Sequence, residues 1–98
     1  MSIPERVRIL ADGARLTNGD RDKEYGPPLN NFSLSGKIKR LLREHTGRDI
    51  HPAEQEALDM VVTKLSRAVA GKPKRDTYVD GAAYFAIAGE IALSTDKD

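Results

Sequence analysis

The chain has 98 residues, 39% of them hydrophobic and 32% charged, with a formal net charge of +1. These values predict one soluble globular domain over residues 1–98, with no bulk electrostatic sign of a nucleic-acid or membrane partner. The absence of cysteine excludes disulfides, thiolate metal sites and a thiol nucleophile. Because no apolar run resembles a membrane span or a signal peptide, we expect a cytoplasmic protein.

The first predicted helix follows a capping box. Ser2 is the expected cap, with Pro4 in the first turn and Glu5 three residues after the cap. Residues 17–20, which include an Asn-Gly pair, are expected to end this helix.

Residues 18–31 form the longest irregular stretch of the chain. Its Gly-Pro-Pro run at 26–28 is incompatible with a helix interior, and a loop of this length is usually functional or disordered. Tyr25 could stack on a nucleobase, and Asn31 could hydrogen-bond to it. The alternative is an ordinary turn followed by a helix cap.

A second helix is predicted from a cap at Asn30 or Asn31 to about His45. Basic residues between Lys37 and Arg43 cover one flank, either as a solvated helix face or as a phosphate-binding surface. His45 and His51 match no metal-ligand spacing and are interpreted as surface or capping residues. The apolar face of the helix consists of Phe32, Leu34, Ile38, Leu41 and Leu42.

A third helix is predicted to begin near Pro52 and to close at Gly71, with apolar residues at i, i+3, i+4 and i+7. The basic turn Lys72–Arg75 leads to a fourth helix, for which Asp76 is the expected cap. This last helix is apolar almost all round and rich in alanine and glycine, which allows neighbouring helices to approach closely. Three other short helices would leave part of it uncovered, so we also predict a homo-oligomer.

These elements predict an all-α fold, since no strand pattern or internal repeat is present. The expected architecture is a compact bundle of about four helices with a long N-terminal loop.

Asp80 is the residue that points most directly to chemistry. At 100° per residue it falls between Tyr84, Ile87 and Ile91, inside an apolar stripe. An unpaired buried charge is very costly, so this carboxylate requires a cation, a hydrogen-bond donor or a metal. Asp76 lies four residues earlier on the same face, where like charges repel unless something positive lies between them.

Two interpretations of this region stay open. In the functional one, Asp76 and Asp80 hold Mg²⁺, Asp59 shares their groove, and Lys64 and Arg67 bind phosphate oxygens. In the structural one, Asp80 forms an internal ion pair with Lys64 or Arg67 that only sets the helix register.

Two blocks of the sequence resemble a known family. Residues 24–32, EYGPPLNNF, resemble the Y-G-D-P-x-x-N-F segment of small phage-encoded helical proteins. Residues 60–92, with KLSR, DTYVD and GAAYFA, resemble the second block of that family, K-x-x-R followed by D-x-x-x-D-x-x-G-Y. Some members carry only DUF-type labels. Others are labelled nucleotide kinases, because they are similar to a non-P-loop deoxynucleoside monophosphate kinase of T7-like phages. Still others are labelled MazG-like pyrophosphohydrolases.

The resemblance implies nucleotide binding, a phage origin and a MazG-like or related helical fold. Pro27 replaces the usual aspartate of the family, which removes a candidate acid. The MazG pattern of E-x-x-E on one helix and E-x-x-D on the next is not met. The positions that match the family are Tyr25, Asn31, Lys64, Arg67, Asp76, Asp80 and Tyr84.

Three functional hypotheses follow. The first is an enzyme that acts on (deoxy)nucleotides by Mg²⁺-dependent phosphoryl transfer or hydrolysis, with Asp76 and Asp80 as catalytic residues. The second is a non-catalytic protein that sequesters a nucleotide signal, an anti-defence role in the host cytoplasm. The third is an assembly protein. In both nucleotide hypotheses we expect the phosphates at the junction before the fourth helix and the base against Tyr25 or Tyr84.

Overall fold

The protein is described by a computed structural model that covers residues 2–19 and 26–96. Across these residues the chain forms four α-helices and no strand, so the all-α prediction is confirmed. None of the described helices is both long enough and apolar enough to cross a membrane. The helices are α1 (Glu5–Leu16), α2 (Pro28–Glu44), α3 (Pro52–Ala68) and α4 (Arg75–Thr95).

The predicted polar caps of α1 and α2 are wrong, because proline occupies both positions. Pro4 is the N-cap of α1, without a side-chain cap from Ser2. Helix α2 begins at Pro28 with Pro27 as its N-cap, which places Asn30 and Asn31 inside the first turn. Proline suits a helix start because its φ is already near the helical value and its missing N–H would have no partner there.

The cap predicted for α3 is confirmed, whereas the cap predicted for α4 is wrong. Nδ1 of His51 accepts a hydrogen bond from the backbone N–H of Ala53 at 3.0 Å, so the capping role predicted for this histidine is confirmed. Helix α4 has Lys74 as its N-cap and no side-chain cap, and Asp76 lies in its first turn. Asp76 there still interacts favourably with the positive end of the helix dipole.

Helix α3 is the middle helix of a single layer. On one side of it, Lys39 of α2 donates to Thr63 at 3.0 Å; on the other, Lys64 donates to Asp80 of α4 at 3.0 Å. Arg43 of α2 reaches back to an earlier residue of α3, so α2 and α3 run antiparallel. Helix α1 contributes no buried residue.

The molecule is extended, so the predicted compact bundle is wrong. The radius of gyration is 16.9 Å, whereas a compact domain of this length has a value of about 13 Å. Among residues 2–19 and 26–96, the buried apolar residues are Ala57, Val62 and Ala88. A stable domain normally needs two layers to cover its apolar surface, and three helices side by side supply only one.

An ion pair ties the turn between α2 and α3 to the start of α3. Arg48 Nη1 donates to Glu54 Oε1 at 3.1 Å, and Nη2 donates to Oε2. The Glu54 side chain is only 4% exposed, so its charge depends on this bidentate partner. Hydrogen bonding from Arg48 holds the pKa of Glu54 below its usual value, and the same bond raises the pKa of Arg48.

Candidate functional site

The groove between α3 and α4 contains the Lys64–Asp80 ion pair. Nζ of Lys64 donates to Oδ2 of Asp80 at 3.0 Å, which confirms that Asp80 finds a cation. Its predicted burial is wrong, since the Asp80 side chain is 48% exposed and that of Lys64 only 14%. The reason is Gly81, where an added Cβ would lie 3.5 Å from the Lys64 Cβ. The lysine stem crosses this narrow interface and carries its charge to the edge of the groove.

The neighbouring candidate residues lie along the same two helices. Asp76 is exposed, Tyr84 is half-buried, and the spacing of four places both on the side of α4 that carries Asp80. Arg67 is half-buried and lies three residues beyond Lys64, nearer to the turn between α3 and α4. Among the described residues, no group of three His, Asp or Glu side chains is close enough to hold a metal ion.

The register of the layer brings Asn31 to the same end of the molecule. Because α2 runs antiparallel to α3, with Lys39 opposite Thr63, the start of α2 lies level with the end of α3. Asn31 is half-buried in that first turn, and its backbone N–H donates to Pro27 O at 3.1 Å. Tyr25 lies outside the described residues. We call the end with Asn31, the α3–α4 turn and Asp76 the turn end.

Asp59 does not share this groove, contrary to the sequence-based expectation. Its two carboxylate oxygens accept hydrogen bonds from Arg43 and from Gln55, each at 3.0 Å. Five residues separate Asp59 from Lys64, which rotates them about 140° apart around α3. Asp59 therefore faces α2, and Lys64 faces α4.

The basic flank of α2 is largely engaged with groups of the protein itself. Lys39 donates to Thr63, Arg40 pairs with Glu44 at 3.0 Å, and Arg43 pairs with Asp59. These contacts favour a structural interpretation of this flank over a phosphate-binding surface.

An apolar groove of about 250 Å³ lies between α3 and α4 and extends to the turn end. Tyr78 and Phe85 of α4 line it together with Ala68 at the end of α3 and Thr77 in the first turn of α4. The Lys64 stem forms part of the same wall. Sequence reasoning did not select Tyr78 or Phe85, although their spacing of seven already places them on one face of α4.

Comparison with known proteins identifies the family. Residues 8–92 match the family described as Domain of unknown function (DUF6378). The chain belongs to the DUF6378 family. No curated protein and no solved structure matches it. The DUF6378 match begins within α1 and ends within α4, so it includes Asn31, Asp76 and the whole α3–α4 turn.

The turn end of this DUF6378 chain combines three chemical features. Lys64 and Arg67 supply donors suited to anionic oxygens. The start of α4, which no side chain caps, presents backbone N–H groups and the positive end of a helix dipole. The groove beside them presents an apolar wall with the ring of Tyr78. This combination suits a ligand with an anionic end and a flat apolar body.

Proposed function

We propose that this protein binds a nucleotide at the turn end. The observation that carries the proposal is the antiparallel register, because it brings Asn31 of the first matching block level with Arg67 and Asp76 of the second. Residues that are 36 or more positions apart in the chain thereby lie at one end of the layer. A ligand that contacts both blocks needs this arrangement.

The phosphates of the ligand would lie at the start of α4. The cations of the turn Lys72–Arg75 flank this helix terminus, and Arg67 ends the preceding helix. Phosphate oxygens accept charge-assisted hydrogen bonds from such groups and from free backbone N–H groups. Binding should therefore weaken as salt concentration rises.

The base would occupy the groove between α3 and α4. Tyr78 is 57% exposed and lies beside the phosphate position, within one turn of the start of α4. This makes it a better stacking residue than Tyr84, which is half-buried, and Tyr25 remains a third candidate from the sequence. Stacking of a base on an aromatic ring contributes about 1–3 kcal/mol.

Asp76 and Asp80 fit the protein side of a Mg²⁺ site. Mg²⁺ sites over nucleotide phosphates commonly use one or two carboxylates, with phosphates and waters completing the shell. When bound, Mg²⁺ would offset phosphate charge and activate the reacting oxygen. Lys64 holds Asp80 at the edge of the groove, where its carboxylate can face such a ligand. The enzymatic version of the proposal requires this site, and the sequestering version does not.

The phage origin, and with it kinase-like, MazG-like or anti-defence roles, rests on the two matching sequence blocks alone. It extends the proposal from a nucleotide ligand to a biological setting, the cytoplasm of an infected host.

Isothermal titration with nucleoside mono-, di- and triphosphates, each with and without Mg²⁺, tests the proposal. Lys64→Ala and Arg67→Ala should each weaken binding about tenfold or more, the scale of one charge-assisted hydrogen bond. The double variant Lys37→Ala/Arg40→Ala is the control, since it removes two exposed cations of α2. Loss of binding in this control alone would move the site to the α2 flank, and no binding to the parent would overturn the proposal.

A turnover assay separates the two versions. If the protein is an enzyme, Asp80→Asn should abolish Mg²⁺-dependent release or transfer of phosphate while nucleotide binding without metal persists. If the protein only sequesters its ligand, the parent should show no turnover with any tested nucleotide, and its affinity should not depend on Mg²⁺.

A further inference from the structure

Within the part of the chain that the structure describes, one side of the α2–α4 layer is apolar and no helix covers it. Two cavities open there: the groove at the turn end and a second one of about 570 Å³ nearer to the α2–α3 turn. Both are lined by Val61, Leu65 and Phe85, so they belong to one continuous surface. We call the part around the larger cavity the apolar face; it consists of Leu42, Leu58, Val61, Leu65 and Phe85. Tyr78 lines only the groove at the turn end and is not part of this face.

The exposure of this face is high for residues of its type. Leu65 is 55% exposed and Phe85 is 63% exposed, although both line the two cavities. Contiguous apolar surface of this kind on a soluble protein usually marks an interaction site.

We infer that the apolar face binds the same face of a second copy of this chain. The accessible surface is 7769 Å², roughly 2,200 Å² more than the value of about 5,500 Å² expected for a compact monomer of this mass. A stable interface removes only about 800 Å² from each partner. Part of this excess comes from α1, which buries no residue. The rest is available for a dimer, in which the second copy supplies the missing layer.

Exposed side chains and a cavity lie next to each other on this face, an arrangement that a two-fold contact can use. Leu65 and Phe85 protrude beside the 570 Å³ cavity that they help to line. Around a two-fold axis, these side chains of one copy would enter the cavity of the other, and the reverse contact would form at the same time.

Helix α1 is too small to cover the face. Its 12 residues give a length of about 18 Å and a width of about 10 Å. The face runs along the 17 residues of α3, about 25 Å, and spans three helices, about 20 Å between the outer axes. A folded-back α1 would leave more than half of it exposed.

Sedimentation velocity of the full chain, without nucleotide, tests the inference. At tens of micromolar the parent should have twice the monomer mass of 10.8 kDa. Leu65→Asp should weaken association at least tenfold, because a charge would be buried at the centre of the interface. Ile87→Asp is the matched control: Ile87 is an exposed apolar residue of α4 on the opposite side of that helix from Phe85. A monomeric parent at 100 µM would overturn the inference.

Cysteine cross-linking keeps the test decisive if Leu65→Asp fails to fold. The native chain has no cysteine, so a single introduced thiol can link only to a second copy. Leu65→Cys should form a disulfide-linked dimer under mild oxidation, and Ile87→Cys should not. Equal cross-linking at both positions, or none at position 65, would refute the interface. The result does not depend on whether nucleotides bind.

Discussion

Helix α3 contacts α2 and α4 through two different kinds of surface. Toward α2 it uses polar side chains: Thr63 accepts from Lys39, and Asp59 pairs with Arg43. Buried serines, Ser35 of α2 and Ser66 of α3, lie beyond the Lys39–Thr63 link, nearer to the turn end. The Arg48–Glu54 pair lies at the α2–α3 turn. Glu54 is about 60° around α3 from Ala57 and about 140° from Asp59, so it lies nearer to the α4-facing side.

The contact between α3 and α4 is formed largely by small residues of both helices. Ala57 lies seven residues before Lys64 on the α4-facing side, and Gly81 lets the Lys64 stem approach α4 closely. Ala88 of α4 is 1% exposed and lies seven residues beyond Gly81. The difference shows that the α2 contact depends mainly on polar and charged pairs. The α4 contact depends mainly on small side chains, with the partly exposed Lys64–Asp80 pair beside them. Changes of charge and changes of size should therefore affect the two sides differently.

The largest effect is expected from Arg48→Ala. Removal of the guanidinium, which is itself 57% exposed, leaves the Glu54 carboxylate, only 4% exposed, without its bidentate partner. Leaving a buried charge unpaired is destabilising. Thermal unfolding followed by circular dichroism should show a fall in Tm of more than about 10 °C. Arg40→Ala, which breaks the exposed pair with Glu44, should change Tm by no more than a few degrees. Similar losses in both variants would mean that burial of Glu54 is unimportant.

Ala88→Leu should have the next largest effect on stability. It tests whether the contact between α3 and α4 requires small side chains. Added methylene groups in a close helix contact force α3 and α4 apart and cost about 1–3 kcal/mol. Chemical denaturation measures this loss. Ala86→Leu places the same side chain at an exposed position of the same helix and should be nearly neutral. If both variants were equally stable, the α3–α4 contact would not be limited by volume.

The pH dependence of stability should report on the Arg48–Glu54 ion pair. The pKa of Glu54 is lowered in the folded state, so its contribution is fully present above the unfolded value of about 4.3. It is lost as pH falls below that value through the folded pKa. Between pH 5 and pH 3, Tm should therefore fall more steeply for the parent than for Glu54→Gln. Parallel curves would show that the ion pair does not contribute to acid sensitivity.

Asp80→Asn should have the smallest effect on stability, although it breaks the ion pair on the α4 side. The Asp80 side chain is 48% exposed, and ion pairs at such positions contribute no more than about 1 kcal/mol. Equilibrium unfolding should give a free energy close to that of the parent. A loss of several kcal/mol would support the interpretation that this pair is a structural element and would weaken its assignment to a ligand site.

Several features of the candidate site could be predicted from residue spacing. The demand of Asp80 for a cation follows from its helical position, and Lys64 is one of the two partners that the sequence offers. The exposure of Asp80 could not be predicted, because it depends on the close approach of α3 at Gly81. Likewise, Asp59 was assigned to the wrong side of α3, since only the packing of α2 shows which face Arg43 occupies.

The sequence by itself determined the number of helices and their approximate bounds, because apolar periodicity, proline and glycine act within a few residues of one another. It also determined which side chains share a helix face. The tertiary structure decided that α2, α3 and α4 form one layer, that Asn31 lies at the turn end, and that the apolar face is left uncovered. Those features arise from contacts between residues far apart in the chain, where local periodicity carries no information about which helix faces meet.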